Sequence, residues 1–459
     1  MHNQHLTPPS RGETRRGFLK KTAAAAAAAA SATSFKTAVY GQSQAPSAGV
    51  LGANDRIVVG FIGVGGQGFR AHVRSQKEHA SANNVALAAV CDVSKTRREQ
   101  AKDEVGENCQ AYEDHRQLVE RKDIDAVTIS TVDHWHAKCC LDAMEAGKHV
   151  YCEKPMTRYL DEAFAVHDAV KRTGRIFTVG SQICSDARWH KAAELIQKGA
   201  IGQLVLGQDS YMRNEPKGEW NYTIENWCTK NDMDWSHWMG NQIQKRVDFN
   251  PDHYFRWRKY YPYCGGLLGD LLPHRLHPFM MATGNPEYPK RVVCIGTKPV
   301  HTDKNTPDTP ERDVPENVTV LAEFPSGMTL MMSSSSISEV GLTSMIRGHQ
   351  ATLYFGGNRV ELKPERLFAD EIDPEVWEGL EPSGEKVSEM EKNWFDCIRS
   401  GKAPYANIDL AIRVQTVISL CEMSDRLNVA CLFDEKTRKV TTQDGREVKS
   451  ITYGTLDLS

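Results

Sequence analysis

The chain has 459 residues, room for two or three domains at roughly 100–200 residues each. With 40% hydrophobic and 25% charged residues, its composition excludes a disordered, collagen-like or multi-span membrane protein. Lys+Arg number 56 against 59 Asp+Glu, a formal net charge of −3 without a basic stripe, which argues against a nucleic-acid partner. Twelve cysteines are too dilute for a disulfide scaffold, and none forms the C-x-x-C pair of a structural zinc site.

Residues 1–40 read as a signal and linker. Thr14-Arg15-Arg16-Gly17-Phe18-Leu19-Lys20 precedes the alanine run Ala23–Ala30, too short and weakly apolar to span a bilayer. A twin arginine ahead of such a run predicts export by the Tat route, hence a periplasmic or otherwise exported protein. Cleavage after Ala30-Ser31-Ala32 and cleavage nearer Gly41 both fit. This segment holds six basic residues and one acid, so the remainder carries 50 basic against 58 acidic residues, a charge of −8.

From residue 55 a nucleotide-binding half begins, expected over 55–182. Arg56–Ile62 is a β-branched run typical of a buried parallel strand. It runs into Gly63-Val64-Gly65-Gly66-Gln67-Gly68, a G-x-G-x-x-G that leads to a helix. Gly63 suits the tight turn, Gly65 and Gly66 let a pyrophosphate approach the backbone, and Gly68 allows close helix–strand packing. A second strand, Val85–Cys91, ends at Asp92, 24 residues after Gly68. A carboxylate there can bind both ribose hydroxyls and repels a 2′-phosphate, so NAD is expected over NADP. Ser94, Lys95, Arg97 and Arg98 follow closely and could bind that phosphate. Strands at 125–131, 149–152 and 176–179 alternate with helices at 137–146 and 158–173, the pattern of a doubly wound parallel sheet.

Residues 183–459 are expected to form an α+β domain. Leu204–Met212, Arg291–Val300 and Met345–Phe355 read as strands, and Val318–Phe324 with Met328–Ser335 as a hairpin across Pro325-Ser326-Gly327. Residues 306–317 form a Pro-rich loop, and 387–401 and 408–426 are helical. Thirteen of the 37 aromatic residues fall within 211–263. Their rings suit the apolar faces of a sugar, and equally an aromatic core or a subunit contact.

Four elements together resemble the Gfo/Idh/MocA oxidoreductases. They are the glycine loop; Thr131-Val132-Asp133-His134-Trp135-His136; Ala146-Gly147-Lys148-His149-Val150-Tyr151-Cys152-Glu153-Lys154-Pro155; and Gly265-Gly266-Leu267-Leu268-Gly269-Asp270-Leu271-Leu272-Pro273-His274. The resemblance implies a Rossmann domain followed by an open, mainly antiparallel sheet. One face of that sheet would support the substrate pocket, and the other would pair subunits into a dimer or tetramer. It places Glu153 and Lys154 by the nicotinamide and its ribose, with Thr131 and His136 flanking the cofactor. It also implies a cis bond at Lys154-Pro155. Asp133, Pro273 and His277 depart from the family pattern, Asp133 in what reads as a tolerant loop.

Oxidising an alcohol requires removal of its hydroxyl proton as the hydride leaves, which suits His or Lys. Asp270 and His274 are four residues apart, with Pro273 fitting the first position of a helix. The expected set is therefore His274 as general base or acid, Lys154 as hydroxyl-positioning cation, and Asp270 orienting the imidazole. Lys154 and His274 can exchange roles, since sequence does not rank their pKa values. Neither His274 with His277 nor His134 with His136 has a convincing third ligand, so no metal is expected. The expected activity is NAD-dependent oxidation of a sugar, polyol or sugar-derivative hydroxyl with tightly held, internally recycled nucleotide. The alternative is a glycoside hydrolase or lyase that uses transient oxidation.

Overall fold

The computed structural model describes residues 55–240, 243 and 246–451; the twin-arginine segment lies outside them. The apolar runs of the first third become β1 (Ile57–Ile62), β2 (Val85–Cys91), β3 (Gln110–Tyr112), β4 (Ala126–Ile129), β5 (His149–Glu153) and β6 (Phe177–Gly180). They form one parallel sheet in the order β3-β2-β1-β4-β5-β6. Ala126, Val127 and Ile129 are wholly buried, as expected for a strand covered on both faces. Between β1 and β4 the strand order reverses direction, and there the crevice of a doubly wound sheet lies at the carboxyl ends of the strands.

The rest of the described chain adds β7 (Leu204–Asn214), β8 (Arg291–Thr297), β9 (Asn317–Glu323), β10 (Thr329–Ser335), β11 (Ile337–Ser338), β12 (Met345–Gly348), β13 (Ala351–Gly356), β14 (Arg359–Pro364), β15 (Glu375–Trp377), β16 (Cys431–Asp434) and β17 (Lys439–Thr441). These make an 11-stranded sheet ordered β15-β14-β13-β12-β7-β10-β9-β8-β16-β17, with β11 paired to β7. The sheet is antiparallel apart from β10 beside β7. Val292, Val320 and Leu330 point to a buried face, against which the helix Ile408–Leu427 packs. On the opposite face Val293, Ile295 and Leu321 are exposed.

The run 345–355 is not one strand. It turns back at His349-Gln350, where a Cβ on Gly348 would lie 1.9 Å from the Ile201 carbonyl oxygen. The strand from Arg291 stops at Thr297, two residues before Pro299, which has no N–H for the ladder. The helix Pro273–Ala282 crosses β7 so closely that a Cβ on Gly207 would lie 2.0 Å from the Phe279 ring. That contact seats the helix carrying His274. All twelve cysteines are buried and unpaired. Among the described residues no helix is long and apolar enough to cross a membrane.

Candidate active site

The carboxyl ends of β1, β2, β4 and β5 open onto a cavity of about 790 Å³. Gly63, Gly65, Gly66, Asp92, Thr131, His136, Glu153, Lys154, Asp270 and His274 all line it, so sequence-distant motifs share one space. Gly68 lies beneath. A Cβ there would sit 2.1 Å from the Gly63 carbonyl oxygen, and Gly63 itself turns at φ +82°. The loop is therefore folded tightly onto its helix, while a Cβ on Gly66 would meet only Arg70, at 3.5 Å. This is a backbone cradle open to a phosphate.

Asp92 directly follows β2, with Oδ2 accepting the Val64 N–H (2.9 Å) and Oδ1 accepting the Ser94 N–H (2.9 Å). Each oxygen keeps a lone pair for a further donor. Burial pushes its pKa up against the opposing charge of Arg97, so the carboxylate gains from additional donors. The Arg97 guanidinium lies 4.5 Å from the Tyr254 ring centre and beside Gly65. His136 has one ring nitrogen 2.7 Å from the Pro155 carbonyl and the other 3.2 Å from the Thr131 carbonyl, tying two cavity loops together. The Lys154-Pro155 bond is cis.

At the other end, Lys154 Nζ donates to Asp270 Oδ1 (2.6 Å) and to the Asp270 carbonyl (2.7 Å). Asp270 also accepts from Arg258 Nε (3.0 Å) and from Trp220 Nε1 (3.0 Å). Burial alone would raise its pKa, but Lys154 and Arg258 hold it well below the usual carboxylate range. Burial pulls Lys154 down while the Asp270 charge more than compensates, so the ammonium persists above its ordinary range. His274 is pushed down to about 3, by burial and then by the Lys154 charge. The structure thereby ranks what sequence left open: a cationic Lys154 beside a neutral His274.

One expected contact is absent. Asp270 does not hydrogen-bond His274, because its oxygens serve Lys154, Arg258 and Trp220. His274 Nδ1 is buried without a hydrogen bond, 3.4 Å from Glu385 Oε1 and poorly aligned with it. Asp270 thus positions Lys154 rather than the imidazole.

Several residues escaped the sequence reading. Asp133 is only 3% exposed, lines the cavity and leaves Oδ2 without a partner; burial raises its pKa. Arg258 and Trp220 came from an aromatic-rich segment with no motif to mark them. That segment does two things. Trp238, Tyr254, Tyr260 and Tyr263 form a separate small core, of which Trp238 and Tyr254 also line the cavity together with Tyr222, Trp227 and Trp257. The segment is fastened over the β2 end: Asp232 accepts from Ser94 Oγ (2.5 Å) and the Thr96 N–H (3.0 Å). It is fastened again where Trp135 Nε1 donates to the Trp238 carbonyl (2.8 Å).

Neither histidine pair weighed as a metal site gains a third ligand among the described residues. Asp114, His115 and His237 do bring one ligand-type atom each within 4.8 Å of one another. Asp114 already holds Arg116, and His115 Nε2 lies 2.8 Å from Asp142 Oδ2.

Comparison with known proteins agrees with this geometry. Residues 57–181 match the family model described as oxidoreductase family, NAD-binding Rossmann fold. Residues 241–354 match the GFO/IDH/MocA C-terminal domain. A Shewanella baltica protein named glycosyl hydrolase family 109 protein is 31% identical over 228 residues, 46% of this chain and 47% of its own. The match thus spans about half the length of that relative. Among solved structures, an oxidoreductase domain protein from Kribbella flavida has a TM-score of 0.64 at 20% identity, covering 83% of this chain and all of its own. Levoglucosan dehydrogenase in complex with NADH and levoglucosan has a TM-score of 0.62 at 19% identity, covering 82% and 98%. At these identities the structural likenesses establish the fold.

Proposed function

Because the chain belongs to the Gfo/Idh/MocA oxidoreductase family, we propose that it oxidises a hydroxyl of a sugar, polyol or sugar derivative using NAD. The observation that carries this reading is the single cavity joining the glycine cradle to Lys154, Asp270 and His274. The cradle fits a dinucleotide, since its turn excludes any side chain at Gly68 and leaves Gly66 open. Gly63, Gly65, Gly66, Asp92, Thr131, His136, Glu153 and Lys154 would hold it. A bound nicotinamide would supply the two-electron acceptor. Asp92, already short of solvent, favours the ribose hydroxyls of NAD over the phosphate of NADP.

The chain itself handles the proton and the substrate's position. Lys154, pinned by Asp270, donates to the substrate hydroxyl and stabilises the negative charge that develops as its proton leaves. His274 is neutral at working pH and takes that proton as general base. Arg258 and Trp220 keep Asp270 from turning away. Tyr222, Trp227 and Trp257 offer rings to a sugar face.

A second reading draws on the relatives' name. In a redox-neutral glycoside hydrolase or lyase, oxidation at one carbon acidifies the adjacent C–H, the glycosidic bond breaks, and the same electrons then restore the hydroxyl. Either cycle needs a resident nucleotide if the protein works outside the cytoplasm, where Arg15 and Arg16 would send it. The fastening of the aromatic segment over β2 supports such retention. The twelve buried thiols suit a chain that folds in a reducing compartment before export. Exposed Val293, Ile295 and Leu321 support self-association through the open sheet face.

The test is to denature purified protein, identify the released nucleotide, and expose intact protein to a glycoside panel with mass analysis of products. A sugar two hydrogens lighter supports oxidation, and free aglycone without net redox change supports the hydrolase or lyase. Nucleotide-free protein that yields neither product defeats both.

A further inference from the structure

Behind the reacting end of the cavity lies a buried group that the chemistry above does not use. His72 is wholly buried, with Nε2 2.8 Å from Glu153 Oε1 and Nδ1 2.8 Å from Glu391 Oε1. Its two partners are far apart in the sequence: Glu153 ends β5, and Glu391 belongs to the helix Val387–Ser400. His72 itself lies in a π-helical stretch, Gly68–Val73, directly after the glycine loop. Such stretches carry one residue more per turn than an α-helix and recur at functional sites.

The surroundings leave the imidazole little freedom. Glu391 also accepts from Ser75 Oγ (2.8 Å) and Gln76 Nε2 (3.0 Å), and Glu153 from Gln182 Nε2 (2.9 Å). The Tyr151 ring stands edge-on to His72 at 5.2 Å, its hydroxyl without a partner. The titratable groups that face Glu153 are therefore His72 from the glycine-loop helix, Lys154 from its own strand end, and His274 across the cavity. Glu391 faces His72 from the opposite side. An imidazole between two carboxyls is expected to carry a proton on both nitrogens. Burial opposes this, but the hydrogen bonds to Glu153 and Glu391 lift the His72 pKa to about 9. In return His72 holds Glu153 down at about 2 despite its burial. The charge of Glu153 acts in turn on the reacting groups, raising the proton affinity of both Lys154 and His274.

We propose that His72 and Glu391 are positioning residues that hold Glu153 as a fixed anion at the reacting end, beside Lys154 and His274. Neither residue touches the cavity. Both act through Glu153, which does. This role rests on the oxidoreductase reading only for its effect on rate; the charge state of Glu153 can be measured without any substrate.

The experiment pairs two readouts on His72→Gln and Glu391→Gln, using the protein with the nucleotide it retains. First, carbon-13 labelling of glutamate carboxyls follows Glu153, whose signal is assigned by its loss in Glu153→Gln. In the wild type it should show no titration above pH 4, and in His72→Gln it should titrate between about pH 5 and 8, as a buried carboxyl without its cation does. Second, histidine ring signals follow His72, which should titrate near 9 in the wild type and at least one unit lower in Glu391→Gln. With a turned-over substrate, protonation of Glu153 in His72→Gln should weaken His274 as a base. The acidic limb of kcat should then follow the Glu153 titration and lie at least one pH unit higher than in the wild type, with KM changing less than threefold. A merely structural role would lower the rate equally at every pH. The idea is overturned if Glu153 stays ionised in His72→Gln, if His72 titrates below pH 7 in the wild type, or if the limb does not move. Should His72→Gln fail to fold, Glu391→Gln decides alone, through the His72 signal.

Discussion

The contact on which the proposed chemistry most depends is Lys154 with Asp270, and Asp270→Asn tests it with little change in shape. Asp270 is a buried anion accepting from Lys154 at 2.6 Å, Arg258 at 3.0 Å and Trp220 at 3.0 Å. An asparagine keeps one acceptor oxygen but turns an NH₂ toward a donor and leaves two cations without their counter-charge. Removing one partner of such a buried pair costs about 3–5 kcal/mol of stability. The Asp270 pKa is depressed, so its stabilisation is present above the unfolded value near 4 and fades as pH falls below that. Urea unfolding should therefore separate wild type and variant widely at pH 7 and less at pH 3. For Lys154 the sign is opposite. Its pKa is raised with Asp270 present, whereas in the variant burial and Arg258, which both lower it, are opposed by Glu153 without Asp270. The alkaline limb of turnover, set by loss of the Lys154 proton, should shift to lower pH, and the rate at pH 7 should fall by about 10²–10³. A variant with the wild-type alkaline limb and wild-type urea midpoint would refute the pairing as the source of the Lys154 charge.

Three further outcomes are expected. Lys154→Ala and His274→Ala should each lower turnover by about 10²–10⁴ with nucleotide content near wild type, measured by initial rates and by nucleotide release on denaturation. Asp92→Ala should weaken NAD retention and relax discrimination against NADP, read by calorimetric titration with both nucleotides; unchanged affinities would move the ribose contact elsewhere. Gly68→Ala should abolish nucleotide retention, since its Cβ would lie 2.1 Å from the Gly63 carbonyl oxygen, and retained nucleotide would show that the cradle is not the phosphate site.

The parallel sheet was readable because each of its longer strands is a continuous apolar run ended by a turn signal, as at Ile62-Gly63 and Cys91-Asp92. β3 was not, since three residues carry no period. The hairpin at 345–356 was hidden because its apolar pattern continues across a two-residue turn. At the site, local motifs named Lys154, Asp270 and His274, but pairing is a tertiary fact. Spacing of four suggested that Asp270 meets His274, whereas the fold brings Arg258 and Trp220 from an unmotived segment to compete for the same carboxylate. Glu391 lies 319 residues from His72, so no local pattern could have joined them. Asp133 reads as a loop substitution because only the fold reveals that its carboxyl is buried with Oδ2 left without a partner.

The aromatic segment connects these observations to how a nucleotide would be kept. The glycine cradle and Asp92 belong to the parallel sheet, yet part of the wall facing them comes from Trp227, Tyr254 and Phe255, far later in the chain. Asp232 takes Ser94 Oγ and the Thr96 N–H just beyond Asp92, so the fastening point adjoins the Asp92 carboxylate. Arg97 leaves the same turn and lies within 5.8 Å of the Trp227, Tyr254 and Phe255 rings. On the proposed function, a dinucleotide leaving past this wall would have to loosen these contacts as well as its own, which would slow exchange without tightening any single contact to the reacting ring. Slow exchange is a handicap for an enzyme that trades cofactor with a cytosolic pool at each turnover. It is an advantage for one that must return the hydride within each cycle. On the proposed function, the same fastening would favour a second substrate as hydride acceptor, or a redox-neutral cleavage, over net release of NADH.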